Sequence, residues 1–308
     1  MPIMKAVQFD AYGEVEVLQV RVVPRPSPQA GEVLLQVKAA GINPGEVVVR
    51  RGGMPGKLPS GQGVDLAGVV VEVGADVESF RVGDEVLGFC ALNARASQAE
   101  FAVVPAANLT PKPSVVSWDV AGALFTAGAT AYAAVRAIGL APGEVVAVAA
   151  ATGGVGTLAM QLAKRAGATV LGIAGPAGDE WLTSHGAIPV NYGANLADRL
   201  QAAAPGGRID AFLDFFGNGY VELAIKELGV PPARINTTID LAALTAFPIK
   251  AHGSLHAAKA SVVAELAQLI ADGELEVPIA AAYPLAQVRE AFRALEQRHT
   301  RGKIVLRP

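Results

Sequence analysis

Between Val145 and Ala166 the chain reads as an apolar run, a glycine-rich break and an amphipathic stripe, and this order constrains the fold more than any other feature. Val145 to Ala149 is apolar throughout, as a strand buried on both faces requires. Ala151-Thr-Gly-Gly-Val-Gly156 follows. Val155, Leu158, Ala159, Leu162, Ala163 and Ala166 then recur at helical spacing, with Lys164 and Arg165 near the negative end of the predicted helix. Free amides at such a helix start attract phosphate charge. Gly153 lets the backbone approach a pyrophosphate, and Gly156 lets the helix approach the strand. Ala151 stands where the dinucleotide fingerprint has its first glycine, so the strand-turn-helix context carries the reading. The predicted cofactor contacts here are Ala151, Thr152, Gly153, Gly154, Val155 and Gly156; the plain alternative is a tight turn of any α/β protein. The window 145–163 is uncharged, but its glycines fit a turn better than a membrane-spanning helix.

The flanks agree. The first hundred or so residues hold short valine-rich runs, Val33–Ala39, Gly68–Gly74 and Glu100–Val104, punctuated by glycine and proline, which read as an all-β barrel or sandwich. From Ser117 helices alternate with buried strands: a helix toward Ile138, then strands at Thr169–Ile173 and Ile209–Asp214. Alternation of this kind implies a parallel sheet covered on both faces. Two more helices, Ala257–Ala271 and Leu285–Gln297, precede a terminal strand, Gly302–Leu306, whose candidate partner is the N-terminal β region.

Charge and cysteine content narrow the function. With 25 Lys and Arg against 28 Asp and Glu in 308 residues, the net charge of -3 gives no footprint for nucleic acid. The single cysteine, Cys90, permits neither an internal disulfide nor a cysteine zinc cage. His185, His252, His256 and His299 are scattered without ligand spacing, so no metal site is expected. The start has no secretory pattern, and a cytoplasmic protein without membrane or nucleic-acid partners is expected.

The second strand of a dinucleotide fold ends in Asp or Glu when the ribose 2′-hydroxyl is free. Here Ala174-Gly175 occupies that place. A 2′-phosphate would meet no repulsion, which favours NADPH over NADH, although Pro176–Glu180 offers no Lys or Arg partner and NADH is not excluded. Asp179 and Glu180 read as first-turn helix acids.

Ala40-Gly-Ile-Asn-Pro44, Gly63-Val-Asp-Leu-Ala-Gly68, Val82-Gly-Asp-Glu-Val86, Ala151–Gly156 with Met160-Gln-Leu-Ala-Lys164, Asn191-Tyr192 and His299-Thr-Arg-Gly-Lys-Ile-Val305 occur in order. Through them nearly the whole chain resembles the medium-chain dehydrogenase/reductase superfamily, in its zinc-independent NADPH:quinone oxidoreductase-like branch. The resemblance implies an α/β protein: a GroES-like, mostly-β catalytic domain over 1–117 and 255–308, and a Rossmann domain with a doubly wound parallel sheet over 118–254. It also implies an active site in the cleft between them and a homodimer paired through the Rossmann domain.

Zinc-dependent relatives hold their metal with a Cys and a Gly-His-Glu segment, for which this chain has Asn43 and Gly63-Val64-Asp65. No zinc is expected. The resemblance puts Asn43 beside the nicotinamide, where its amide could donate to a substrate oxygen; a turn residue before Pro44 is the alternative. Thr130 matches a carboxamide contact, Tyr192 a residue near the adenosine phosphates, and Phe216 and Gly217 the end of a strand near the nicotinamide. Lys303 is expected near the cofactor or as a solvated strand charge. Val48 replaces a tyrosine common in quinone reductases, which removes a phenolic proton donor. Glu46, Arg50 and Asp65 read as a polar cluster, most simply a buried ion pair.

The expected function is hydride transfer from NADPH to a quinone. The alternatives are an enone or enal reductase, which must also protonate carbon, and a non-catalytic NADPH-binding or sensing protein.

Overall fold

The computed structural model describes residues 2–91 and 96–308. The chain forms two compact units, Met1–Thr126 with Ala258–Pro308, and Ala127–Ala257.

Eight strands build most of the first unit: β1 (Ile3–Phe9), β2 (Gln19–Pro24), β3 (Glu32–Gly41), β4 (Ser60–Gly61), β5 (Asp65–Val73), β6 (Glu85–Phe89), β7 (Phe101–Pro105) and β8 (Leu109–Pro111). Five strands belong to the second: β9 (Val145–Ala149), β10 (Thr169–Ala174), β11 (Ile188–Asn191), β12 (Ala211–Asp214) and β13 (Ile235–Thr237). The chain then returns to the first unit with β14 (Ile279–Pro284) and β15 (Lys303–Arg307).

In the first unit one sheet runs β2-β1-β4 and the other β14-β15-β3-β5-β6-β8, with β7 also on β3. The terminal strand finds its sheet in the N-terminal β region: β15 lies antiparallel to β3, Val305 opposite Gly41 and Leu306 opposite Ala40. This pairing carries Lys303 back to the first fifty residues. Phe9, Leu18, Ile42, Phe292 and Leu306 share one apolar core, and Leu35, Leu66, Val86 and Val104 another.

The second unit is a parallel sheet of order β11-β10-β9-β12-β13. Its first strand lies in the middle, so the chain winds outward in one direction to β11 and then in the other to β13. Ligands of such sheets bind beyond the carboxyl ends of the strands where the winding reverses. Every residue of β9 is buried, and Ala147, Ala149, Leu171, Phe212 and Ile235 pack together across the sheet.

Several elements differ from the sequence expectation at their ends, among them the helix expected over Leu285–Gln297, which spans Val288–Glu296. The helix after Ser117 comes in two pieces, Trp118–Gly122 and Leu124–Ile138, because glycine is a weak helix former and Ala123 leaves helical geometry. Ser117 does cap the first, its Oγ accepting from the Val120 N–H at 3.3 Å. β12 starts at Ala211 rather than Ile209, and the helix expected from Ala257 starts at Ala260. The uncharged window 145–163 is a strand, a turn and part of the helix Gly154–Arg165. Among the described residues no helix is long and apolar enough to cross a membrane.

Candidate active site

In the first unit four segments bring chemistry to one buried place. Pro44 biases the residue before it toward extended backbone, and Asn43 has φ -138° and ψ 148°. Pro44 then opens the short helix Pro44–Arg50, the position where a missing N–H costs nothing. One turn on, Glu46 reaches back: its Oε2 accepts from the Asn43 backbone N–H at 3.3 Å and from Gln98 Nε2 at 2.9 Å. Asp65, at the start of β5, accepts from the Thr126 N–H at 3.1 Å and from the Thr126 hydroxyl. Lys303, at the start of β15, donates to the Ile42 carbonyl at 3.0 Å and to Asn43 Oδ1, with Asp65 Oδ2 3.9 Å away.

All four side chains are buried. Burial first, then the Asp65 charge, pushes the Glu46 carboxyl up to about 8. Burial also raises Asp65, against the Lys303 charge and the Thr126 bonds, and it lowers Lys303 against both carboxyls. Two carboxyls and one ammonium in a dry interior are neutral with one proton among the acids. Asn43 Nδ2 looks toward both carboxyls but reaches neither at bonding distance. Among the described residues it is one of several buried atoms without a hydrogen-bond partner, with Glu46 Oε1, Asp65 Oδ2, both amide atoms of Gln62, Ser97 Oγ and Gln98 Oε1. So many unsatisfied polar atoms in one place mark a site completed by water or a ligand.

The expected trio of Glu46, Arg50 and Asp65 is thus corrected. Glu46 and Asp65 meet, but Arg50 turns away to an ion pair with Glu296 at 2.7 Å and to the Gly13 carbonyl at 3.2 Å. Lys303 takes its place. The solvated charge expected at Lys303 does not hold, since the residue is 4% exposed. Gln62, Ser97 and Gln98 were missed in the sequence; the one local signal was Gly63, whose φ of +91° and closeness to Ser97 leave no room for a Cβ.

The donor set does not fit zinc. Asn43 and Asp65 offer neither thiolate nor imidazole, and an ammonium already lies against them. Cys90 is buried, its thiol pushed up to about 12 by desolvation. Among the described residues no group of three or more His, Cys, Asp or Glu could hold a metal.

In the second unit β9 enters the glycine turn at Ala150, which takes the left-handed φ of +53°. The left-handed residue therefore precedes Ala151, which is itself fully buried. A Cβ on Gly156 would stand 2.0 Å from the Ala150 carbonyl oxygen, so the helix lies against the turn only because residue 156 is glycine. Gly153 precedes the helix Gly154–Arg165 and no side chain caps it, which leaves first-turn amides for a ligand. The turn fits a dinucleotide phosphate.

At the end of β10, Ala174 is buried and the Tyr192 hydroxyl stands over Gly175, 3.1 Å from where a Cβ would be. Tyr192 is 54% exposed. Asp179 is occupied by Asn191, whose Nδ2 donates at 2.7 Å. Thr130 is buried in the helix Leu124–Ile138. At the end of β12, Asp214 is an internal tie: Oδ1 accepts from the Phe216 and Gly217 N–H groups at 3.0 and 2.8 Å, and Oδ2 from Thr237 Oγ1 at 2.8 Å. Phe216 packs against the core beside Tyr220, with ring centroids 5.9 Å apart.

Comparison with known proteins bears on both units. Residues 29–114 match the alcohol dehydrogenase GroES-like domain family, and residues 188–306 the zinc-binding dehydrogenase family. A chloroplast envelope quinone oxidoreductase homolog from Arabidopsis thaliana is 30% identical, with 99% of each chain covered. The structure of a quinone oxidoreductase from Coxiella burnetii superposes with a TM-score of 0.89 at 29% identity over 100% of both chains. That of Escherichia coli quinone oxidoreductase complexed with NADPH gives 0.87 at 28% identity over 99% of this chain and 100% of the other.

Proposed function

The chain belongs to the medium-chain dehydrogenase/reductase superfamily, in its quinone oxidoreductase-like branch, and is an oxidoreductase; from that premise we propose that it uses NADPH, without zinc, to reduce a quinone. The observation that carries this reading is the Asn43 amide, a buried donor whose nitrogen has no hydrogen-bond partner among the described residues. Reduction of a quinone carbonyl places negative charge on its oxygen, and a fixed N–H donor in a dry site stabilises that charge. Glu46 protonated and Asp65 paired with Lys303 keep the neighbourhood from carrying a net negative charge that would oppose it.

For the cofactor, NADPH supplies the hydride when bound. Gly153, Gly154, Val155 and Gly156 would hold its pyrophosphate with backbone amides, with Ala151 and Thr152 shaping the turn. Ala174 and Gly175 leave space without a carboxylate for a 2′-phosphate, and Tyr192 borders it. Thr130, Phe216 and Gly217 are the proposed contacts on the nicotinamide side. The NADPH complex of the Escherichia coli relative supports this choice. The reading also takes the protein to be a cytoplasmic homodimer, which sedimentation of the purified protein and cell fractionation check.

A second acceptor class, enones and enals, has the proton held at Glu46 in its favour, because their reduction also needs a proton at carbon. The test is NADPH oxidation by protein treated with chelator, offered an ortho-quinone and an enal in parallel. Turnover of the quinone that survives chelation is expected. Turnover confined to the enal reverses the ranking, and persistence of NADPH with both acceptors overturns the reading.

A further inference from the structure

Among the described residues Lys303 is the one cation in direct contact with Asn43, and its chemistry dictates how that amide is presented. A lysine ammonium carries three donors and no acceptor. Two of them go to the Ile42 carbonyl at 3.0 Å and to Asn43 Oδ1, while the Asp65 carboxylate lies 3.9 Å away. An asparagine amide has one end that accepts and one that donates, so an ammonium fixed on one side leaves only the oxygen able to face it. The Nδ2 end is then turned away from Lys303, where no described residue is hydrogen-bonded to it. Without the ammonium the Asn43 oxygen would be left with its capping contact to the Glu46 backbone N–H, a neutral donor weaker than a charged one.

The cost of the arrangement points the same way. A buried ammonium is expensive to desolvate, and an apolar side chain of similar size is often as stabilising at such a place. Here the charge is kept, with Asp65 on one side and Glu46 beside it. Of the other titratable groups nearby, Cys90 remains a thiol, and Arg50, on the helix of Glu46, is bound to Glu296.

We propose that Lys303 is a positioning residue for the reduction: it holds Asn43 Oδ1 inward so that only the Nδ2 donor is offered to the acceptor oxygen, with Asp65 keeping the lysine in place. This rests on the quinone-reductase reading given above, and goes beyond it in assigning Lys303 to Asn43 rather than to the cofactor.

The test is a double-mutant cycle with N43A, K303M and the pair together, each variant checked by thermal melting and by NADPH fluorescence titration. K303M is expected to lower kcat by at least about tenfold, toward the loss of one oxyanion donor, with the NADPH Kd within about twofold of wild type. In the N43A background the same change should cost almost nothing further, because coupled residues are not additive. K303R, which can still donate to both acceptors, should recover part of kcat. Additive losses would make the role structural and overturn the inference. A weaker NADPH complex with unchanged kcat would make Lys303 a cofactor contact, and would overturn it too. Absence of quinone turnover in the wild type is a different result, which removes the functional reading itself. Should K303M not fold, a crystal structure of the unmodified protein decides: Lys303 Nζ on Asn43 Oδ1 is expected, and an ammonium turned away from Asn43 overturns the inference.

Discussion

The glycine turn of the second unit and the polar cluster of the first are built from opposite materials. The turn is backbone: an unbroken stretch from Ala150 to Gly156 whose side chains matter chiefly by being small. The cluster is side chain: Asn43, Glu46, Asp65 and Lys303, of which the two that bond most intimately lie 260 residues apart. A backbone site is specified by local sequence and tolerates few changes of shape. A side-chain site is specified by topology and tolerates few changes of charge. Substitutions that alter one property at a time should therefore separate them.

The largest effect is expected where shape has no slack. Gly156→Ala puts a methyl 2.0 Å from the Ala150 carbonyl oxygen, which forces backbone to move. The expected cost is about 3 kcal/mol, at the upper end for overpacking, together with loss of NADPH binding. Chemical denaturation and fluorescence titration measure the two. A variant as stable as wild type would mean that the helix approaches the turn less closely than described.

The same small change in the cluster should spare the fold and strike the reaction. Asn43→Ala is expected to lower kcat for a quinone about a hundredfold, the scale of one lost oxyanion donor, and to leave NADPH affinity unchanged. Steady-state kinetics beside cofactor titration would reveal the opposite split, weak NADPH binding with intact kcat, if Asn43 served the cofactor.

Charge can be added to the turn region as a cross-check. Gly175 has ordinary φ and ψ of -81° and 165°, so Gly175→Asp is permitted by the backbone, with Tyr192 shifting slightly. A carboxylate there should weaken NADPH by about tenfold relative to NADH, a discrimination of roughly 1.4 kcal/mol. Equal weakening of both cofactors would place the 2′-phosphate elsewhere.

A last effect is a pH dependence confined to the cluster. The Glu46 carboxyl is raised to about 8 from an ordinary 4.5, so its contribution to stability is complete below 4.5 and is lost as pH rises through about 8. Glu46→Gln should therefore gain stability over wild type between pH 5 and pH 9, seen as a melting-temperature difference that grows with pH. A difference that stays constant would mean that Glu46 is ionised throughout. Asp65, raised in the same direction, adds to the trend in both proteins.

The legibility of the two regions follows from their materials. Val145–Ala149 and the stripe that follows Gly156 announce a strand and a helix, because hydrophobic period and glycine content act over a few residues. The motif Gly302-Lys-Ile-Val announced a terminal strand in need of a sheet. That Lys303 would enter the interior beside Asn43 was not legible, since it depends on the register of β15 against β3. Arg50 shows the converse. In the sequence it reads with Glu46 and Asp65 as a polar cluster, yet Glu296, from the far end of the chain, captures it.

The α/β class, the glycine turn and the missing carboxylate after β10 are legible in the chain, because each is a property of neighbouring residues. Which charges share the buried site depends instead on long-range strand pairing. Pairing β15 with β3 and β3 with β5 brings residues from both ends of the chain into one desolvated volume, where burial raises the Glu46 and Asp65 carboxyls and the Lys303 ammonium opposes that rise and bonds the Asn43 oxygen.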